Sequence, residues 1–447
     1  MCGIVAQLGR TDEFAEAVRL TEHRGIRTRV HESGWGRIAH ARLPIVGVDE
    51  ANDQPVCADK WTIAFVGEVL DFKETQVGNW EDCDLHTVVR NWVERGASGM
   101  RDHDGFWAIV ALDESSGVLH CVVDYLAQKP MYYRIDVGAI ASEPSAAAAL
   151  GPTTPDEIYF AAVAKWGYCP ETWRTPYSEV QKMLPGQYIT MRRGFGYVDF
   201  SEDFVDYLTP RAILGGGELK REIELAVERR VLRSDVPVAI LYSGGLDSSI
   251  VRCVAERYTG KLNYYSVPDA CDIPDLSDVP LVSLGYCSGV SAADVVHYMQ
   301  EPVDLGSVVP QIAMSKVVRE RVCLTGDGAD ELFGGYSRAQ RYDSQWSDVF
   351  HELVSYHLPR LDRVMMRNRV EVRSPFLARR VVEIALGLPY DLRKNKQILR
   401  DLFRDDLPAG RADVPKVPLR TREVEQDRES HTLDLIAEFR RRAWPSA

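Results

Sequence analysis

Cys2 directly follows the initiator methionine. Removal of Met1 would leave one residue carrying both a thiol and a free α-amine. An α-amine, with a pKa of about 7.7–8.0, can act as general base for its own thiol. The pair can therefore attack a carbonyl carbon with no further partner in the chain. A second candidate is SGGLDSS, Ser243 to Ser249. Gly244 and Gly245 let the backbone approach a polyphosphate closely. The hydroxyls of Ser243, Ser248 and Ser249, with N–H groups at a helix start, form an anion cradle. Asp247 is negative and suits Mg²⁺ held between phosphates. No lysine follows the glycines, which excludes the Walker-type loop. The third block, TGDGADELFGGY from Thr325 to Tyr336, carries three acids within five residues. Asp330 is the natural second Mg²⁺ ligand beside Asp247, because Mg²⁺ favours carboxylates together with phosphate oxygens.

These groups need elements to hold them. The first two hundred residues read as strands with tight turns. Trp61 to Leu70 is β-rich, and GFWAIVALDESSGVLHCVVDY is two apolar runs split by a turn at Glu114 to Gly117. PMYYRIDVGAIASE and GQYITMRRGFGYVDF are further hairpins, the second turning at Arg193-Gly194. DEFAEAVRLTEHR and DLHTVVRNWVERG have helical spacing. This mixture predicts an α+β domain with layered sheets. Ser201 to Arg211 is acidic, aperiodic and carries a Pro, and is read as a linker. From Gly217 a helix runs to about Leu232. VPVAILYSGGLDSSIVRCVAERYTG follows as buried strand, glycine turn and helix ending at Gly260. LNYYSV is the next strand, and RVCLTGDGADELFGGY repeats the strand–loop–helix plan. That is doubly wound α/β grammar. HTLDLIAEFRRRAW reads as a short basic amphipathic helix.

Composition narrows the class. The chain has 447 residues, 45% hydrophobic and 27% charged, with a net charge of −13. That excludes a disordered chain, a fibre or a coiled-coil rod, and disfavours general nucleic-acid or membrane-surface binding. No apolar run approaches the roughly 18–20 residues of a membrane span, and no signal-peptide pattern opens the chain. Nine cysteines without a C-x-x-C pair argue against a disulfide framework or a zinc ribbon. A reduced, cytoplasmic enzyme is expected.

Cys2-Gly3-Ile4-Val5 is followed in order by HRGIRTR (His23 to Arg29), HARLPIV (His40 to Val46), VGEV (Val66 to Val69) and EDCD (Glu81 to Asp84). This series resembles the class II glutamine amidotransferases. SGGLDSS resembles the ATP-pyrophosphatase loop, whose family cleaves ATP between the α- and β-phosphates. With DRVMMRNRVEVRSPFL (Asp362 to Leu377) and KQILRDLF from Lys396, the blocks together resemble glutamine-dependent asparagine synthetase, from residue 2 to about residue 408. The resemblance implies an αββα N-terminal-nucleophile domain over 1–200 and a doubly wound ATP-pyrophosphatase domain over 213–447. It implies that Cys2 releases ammonia from glutamine. Arg42 would grip the α-carboxylate as a bidentate fork, Glu68 and Asp82 the α-ammonium, with Gly67 between. Ser243, Gly244, Gly245, Asp247, Ser248 and Gly326 would hold ATP, and Asp247 and Asp330 Mg²⁺. Lys396 would neutralise charge on the α-phosphate and leaving pyrophosphate. Asp327 stands where asparagine synthetases usually have Glu and β-lactam synthetases Tyr, a position that touches the reacting acyl group. Glu371 is expected to be structural, in a buried pair with an Arg. The expected partners are small molecules, namely glutamine, ATP and aspartate or another carboxylate, with neither nucleic acid nor membrane. A homodimer is the assembly considered.

The chain also departs from that pattern. Val66 replaces the Asn whose side chain would donate to the oxyanion, and losing one such donor costs about 10²–10³ in rate. Ile26-Arg27 stands in place of Pro-Asp. Ala378 stands where PFLD has its acid. DACDIPDLSDVPLVSLGYCSG lies in a shortened region that helps shape the acceptor pocket, and EPVDLGSVVPQ (Glu301 to Gln311) matches the acceptor side loosely. Seven Arg against two acids in Arg360 to Arg380 read as helix faces paired with acids elsewhere, with one or two at the phosphate site; tRNA binding is the minor alternative. Aspartate is the default acceptor. The rivals are another carboxylate, an intramolecular amide former akin to β-lactam synthetase or lasso-peptide cyclases with an idle first domain, and a non-catalytic interaction protein.

Overall fold

The computed structural model describes residues 2–73, 83–212, 215–266, 289–336, 349, 351–415 and 428–445. Twelve strands come first: β1 Gly3–Leu8, β2 Arg27–Glu32, β3 Gly36–Arg42, β4 Val56–Ala58, β5 Trp61–Val69, β6 Gly105–Asp113, β7 Val118–Val123, β8 Tyr132–Arg134, β9 Ala139–Ala141, β10 Gln181–Lys182, β11 Gln187–Arg193 and β12 Val198–Phe204. They form two six-stranded sheets, ordered β10-β8-β9-β1-β3-β2 and β12-β11-β7-β6-β5-β4. Every pair in them is antiparallel. The facing sides enclose a core of Ile4, Ala6, Ile38, Ala64, Val66, Ala108, Val110 and Ile189. Helix Phe14–Thr21 packs on β1 outside the first sheet, and helix Asp84–Arg95 on β5 outside the second. This is the αββα arrangement. It explains why β6 is apolar from Gly105 to Leu112: all nine of its residues are buried, one face against the other sheet and one against helix, and the closing Asp113 pairs with Lys60 at 2.8 Å.

Four parallel strands follow: β13 Val238–Leu241, β14 Asn263–Tyr265, β15 Val322–Leu324 and β16 Glu371–Arg373, ordered β14-β13-β15-β16. β13 has its successor on one side and β15 on the other. The strand order therefore reverses between β13 and β15, where a parallel sheet opens a crevice beyond its carboxyl ends. The helices of this α/β half include Gly216–Leu232, Leu246–Ala255, Ala292–Met299, Val308–Val317, Leu358–Met366, Arg379–Gly387 and Arg428–Ala443.

Two readings need correction. Ser201 to Phe204 is not linker but the end of β12, paired with Gln187 to Thr190 of β11. The strand ladder satisfies backbone groups that the acidic side chains leave facing solvent. The helix after SGGLDSS stops at Ala255, five residues before Gly260. Among the described residues, no helix is long and apolar enough to cross a membrane, and Cys2, Cys57, Cys83, Cys121, Cys169, Cys253 and Cys323 are free.

Candidate active site

Cys2 lies immediately before β1 and is 8% exposed, in the same buried cluster as Val66. Burial raises its thiol above the ordinary range, while a backbone hydrogen bond from Leu43 and the charge of Arg42 oppose the shift. Its carbonyl oxygen accepts from Arg24 Nε at 3.0 Å. β5 brings Val66, Gly67 and Glu68 alongside. Gly67 has φ +109°, and a Cβ there would lie 1.9 Å from the Phe106 carbonyl oxygen, so glycine is required. His40 on β3 reaches across to the Phe65 carbonyl at 3.1 Å, tying the two sheets next to Val66. Burial lowers His40 to about 3, so the ring is neutral and donates through Nε2.

The expected glutamine-binding groups divide. Arg42 is buried, and its guanidinium holds the following loop: it donates to Asp49 O at 2.6 Å, Asp53 Oδ1 at 2.8 Å, Val46 O at 3.3 Å and the Gly47 carbonyl. Arg27, one of the departures, donates to the same Asp53 carboxylate at 2.9 Å, so the changed charge has a buried partner. Glu68 faces the other half of the molecule. Arg373 Nη2 is 3.6 Å from Glu68 Oε1. Burial, then the charges of Glu371 and Asp84, push Glu68 well above the carboxylate range. Asp82 lies outside the described residues. Its neighbour Asp84, which the sequence reading did not single out, accepts from the Val69 N–H at 3.0 Å.

At the second centre, β13 and β15 present their loops side by side. Gly244 has φ +70°, and Ser243 Oγ lies 3.1 Å from Ser248 Oγ across the turn. Ser248 and Ser249 open helix Leu246–Ala255 and are buried. Gly326 packs on this turn: a Cβ there would be 2.7 Å from Asp247 Cβ and 3.0 Å from the Ser248 nitrogen. Lys396, 3% exposed, joins the two loops. Its Nζ lies 2.5 Å from Asp247 Oδ2 and 2.5 Å from Asp330 Oδ1. Asn395 and Lys396 both have positive φ, +53° and +56°, which is unfavourable for such residues. Their N–H groups are pinned on the Gly334 and Phe333 carbonyls at 3.0 and 2.8 Å. Asp327 is two residues further along its loop than Thr325, whose hydroxyl it accepts from, and Arg360 Nη2 donates to it at 3.3 Å.

An ammonium between two carboxylates marks where a small cation is electrostatically favoured. Asp247 and Asp330 could supply the hard oxygens that Mg²⁺ favours. Among the described residues no group of three or more His, Cys, Asp or Glu is arranged around a metal. Two carboxylates fit a Mg²⁺ that shares its ligands with a polyphosphate.

The arginine run pairs largely as expected. Arg363 meets Glu301 at 2.9 Å, Arg373 meets Glu371 at 2.6 Å, and Arg379 and Arg380 meet Glu383 at 3.1 and 2.7 Å. Arg411, outside the run, reaches the SGGLDSS loop and donates to the Gly244 carbonyl at 2.9 Å. Most of DACDIPDLSDVPLVSLGYCSG lies outside the described residues. Ala378 is buried and borders a 610 Å³ cavity with Asp104, Glu222, Arg229 and Arg379.

Comparison with known proteins finds family matches in both halves of the chain. The family described as glutamine amidotransferase domain matches residues 1–198, and that described as asparagine synthase matches 218–278, 290–354 and 344–438. Asparagine synthetase [glutamine-hydrolyzing] 2 of Lotus japonicus is 27% identical over 90% of this chain and 72% of its own. Asparagine synthetase B [glutamine-hydrolyzing] of Escherichia coli (strain K12) is 25% identical over 88% and 76%. Among solved structures, glutamine phosphoribosylpyrophosphate amidotransferase from B. subtilis aligns over 78% of this chain and 79% of its own, at 13% identity and a TM-score of 0.32.

Proposed function

Because the chain belongs to the family that joins a glutamine amidotransferase domain to an asparagine synthase domain, we propose that it is a glutamine-hydrolysing asparagine synthetase with aspartate as acceptor. The observation that carries this reading is the bridge from Lys396 to both Asp247 and Asp330, at the point where the parallel sheet's order reverses. A poised cation and two carboxylates there suit adenylation of a carboxylate by ATP.

In this reading the acceptor carboxylate oxygen attacks the α-phosphorus, and the bond to the β-phosphate bridging oxygen breaks. Acyl-adenylate and pyrophosphate form. Ser243, Ser248 and the Gly244-Gly245 backbone orient the phosphates, and Lys396 neutralises charge on the departing pyrophosphate. Asp247 and Asp330 would hold Mg²⁺, which when bound lowers the charge repulsion between phosphates. At the other centre the Cys2 thiol gives its proton to the α-amine exposed by removal of Met1 and attacks the glutamine amide carbon. Burial keeps the thiol protonated until that base acts. Ammonia leaves with the proton, and water releases glutamate from the thioester. Ammonia then attacks the acyl carbon, AMP departs and a proton is lost. Asp327 would touch the acyl group, and Arg360 beside it supplies positive charge for an anionic acceptor. The two-domain division at about residues 200 and 213 belongs to the same proposal, as does work in the cytoplasm.

The test is a paired mass-spectrometric assay. Protein receives ATP, Mg²⁺ and aspartate with either glutamine or ammonium, and asparagine, AMP and glutamate are quantified together. Asparagine and AMP in equal amounts from both nitrogen sources are expected. AMP appearing only with some other carboxylate would replace aspartate as acceptor. The shortened segment between the two loops, rather than Ala378, motivates that second reading, since Ala378 lines a cavity that shares no residue with the Lys396 site. No AMP with any carboxylate would sink both.

A further inference from the structure

The peptide plane of Cys2 is held by a residue whose own geometry depends on the other half of the molecule. β1 begins only at Gly3, so strand pairing does not fix the Cys2 carbonyl. Arg24 does, through Nε at 3.0 Å. Arg24 is 1% exposed, in a single 3-10 turn after helix Phe14–Thr21. The next residue, Gly25, runs in backbone contact with β3, where a Cβ would meet the Ala41 carbonyl carbon at 2.5 Å. The other two nitrogens of the guanidinium are also engaged. Nη1 pairs with Glu143, and Nη2 donates to Asp362 Oδ2 at 2.6 Å. Glu143 belongs to the amidotransferase half. Asp362 is on helix Leu358–Met366 of the synthetase half, and its second oxygen accepts from Lys129 Nζ at 3.2 Å. A guanidinium is a planar fork with fixed directions. Loosening one of its three anchors lets the plane turn and moves the hydrogen bond to Cys2.

We propose that Asp362 is a positioning residue for Cys2, supplied by the synthetase half: it locks the Arg24 fork that orients the nucleophile's peptide. This rests on the reading of Cys2 as the glutaminase nucleophile. The arrangement makes the nucleophile's site incomplete without the synthetase half, since neither Glu143 nor Lys129 can replace an anion in the Nη2 direction. Lys129 is a cation, and Glu143 already takes Nη1 and accepts from Gln300 Nε2 at 2.5 Å.

The experiment uses the full chain. Asp362→Asn is expected to lower kcat for glutamine hydrolysis by roughly ten- to a hundredfold, the cost of misplacing a reacting group, with KM for glutamine little changed. Asp362→Glu should recover part of that loss. Arg24→Lys keeps the charge without the fork and should show the same kcat loss, which covers the case in which the Asn variant does not fold. Lys129→Met disturbs the same carboxylate but leaves the fork anchored, so its kcat should stay near wild type. An Asp362→Asn chain with full kcat, or equal losses in Asp362→Asn and Lys129→Met, overturns the inference. Cys2→Ala separates the two claims: glutamine hydrolysis surviving in that chain overturns the reading beneath and the inference with it.

Discussion

At the residue scale, Val66 and Asp84 make the sharpest claims. Val66 is 1% exposed and shares its buried cluster with Cys2. A valine there has no hydrogen to give a developing oxyanion. Val66→Asn is expected to raise glutamine-dependent turnover, up to the roughly 10²–10³ that one such donor is worth, and to leave ammonia-dependent turnover unchanged. An unpaired amide in that core should lower stability by about 1–3 kcal/mol when no glutamine is bound. Glutamate release and a thermal melt check both; slower glutamine hydrolysis would contradict the oxyanion argument. Asp84 titrates in the opposite sense to a paired carboxylate. Burial raises it to about 6, with the Val69 N–H opposing, against about 3.9 in an unfolded chain. Its contribution to stability is fully present below about pH 4 and is lost as pH rises through 6. Asp84→Asn keeps an oxygen for the Val69 N–H and removes the titration. From pH 4.5 to 7 the wild type should therefore lose on the order of 2 kcal/mol relative to the variant, read as the difference in urea midpoints. Equal pH profiles would mean that Asp84 is solvated. Cys2, Asp247, Asp330 and Lys396 could be singled out in the sequence because each sits in a local motif, and the structure brings the last three together. Arg24 and Asp362 could not, because they pair with each other from opposite halves of the chain, and Asp84 could not, because its burial comes from packing that the local pattern does not announce.

At the element scale, the proposed ATP site is two strand–loop–helix units locked by a third segment. Both units were legible: a buried strand, then glycines, then helical spacing. The third was only half legible, since KQILRDLF marks Lys396 but nothing in it announces two consecutive positive φ angles. Those angles are imposed by the Phe333 and Gly334 carbonyls. Gly335 makes room for the join: a Cβ there would lie 1.9 Å from Asp330 Oδ1 and 2.2 Å from Lys396 Cε. Gly335→Ala should push Lys396 off Asp330 and lower ATP–pyrophosphate exchange by about a hundredfold or more. Glutamine hydrolysis, at a centre built on other strands, should continue. Exchange at the wild-type rate would show that the Lys396 bridge is not needed for adenylation. The misread linker teaches the complementary lesson. Strand β12 is an edge strand with acidic side chains: Val198 and Phe200 are half-buried in alternation, but Ser201 to Phe204 are all exposed, so that stretch carries no burial pattern. Only its backbone pairing defines it.

At the scale of the whole molecule, the core between the two antiparallel sheets belongs to the first half alone, but two further clusters are shared by both halves. One cluster joins Val69, Leu85 and Trp107 of the first half to Leu219, Ile240 and Leu324 of the second. Another joins Val5, Phe14 and Phe160 to Val308, Val364 and Phe439. Sequence reading drew a boundary between two folds and could not see this, since apolar positions on both sides look like ordinary core. The last helix, Arg428–Ala443, makes the sharing explicit. Phe439 lies 6.1 Å from Phe160 and 5.7 Å from Tyr177 between ring centroids, and Trp444 Nε1 donates to the Thr153 carbonyl at 3.0 Å. Arg440 pairs with Glu157 at 2.6 Å. A helix read as a basic tail thus closes the chain's end onto its first half. Two cores that each span both halves cannot melt half by half without exposing apolar surface on the half that remains. Calorimetry is therefore expected to show one cooperative transition, with calorimetric and van't Hoff enthalpies in agreement. Phe439→Ala should shift that whole transition down, at a cost of roughly 3–5 kcal/mol for a buried phenylalanine. A two-peaked melt, with Phe439→Ala moving only the second peak, would mean that the shared clusters are contacts between independent domains. One peak moving as a unit would mean that the two halves stand or fall together, in keeping with the Arg24–Asp362 pair that joins them.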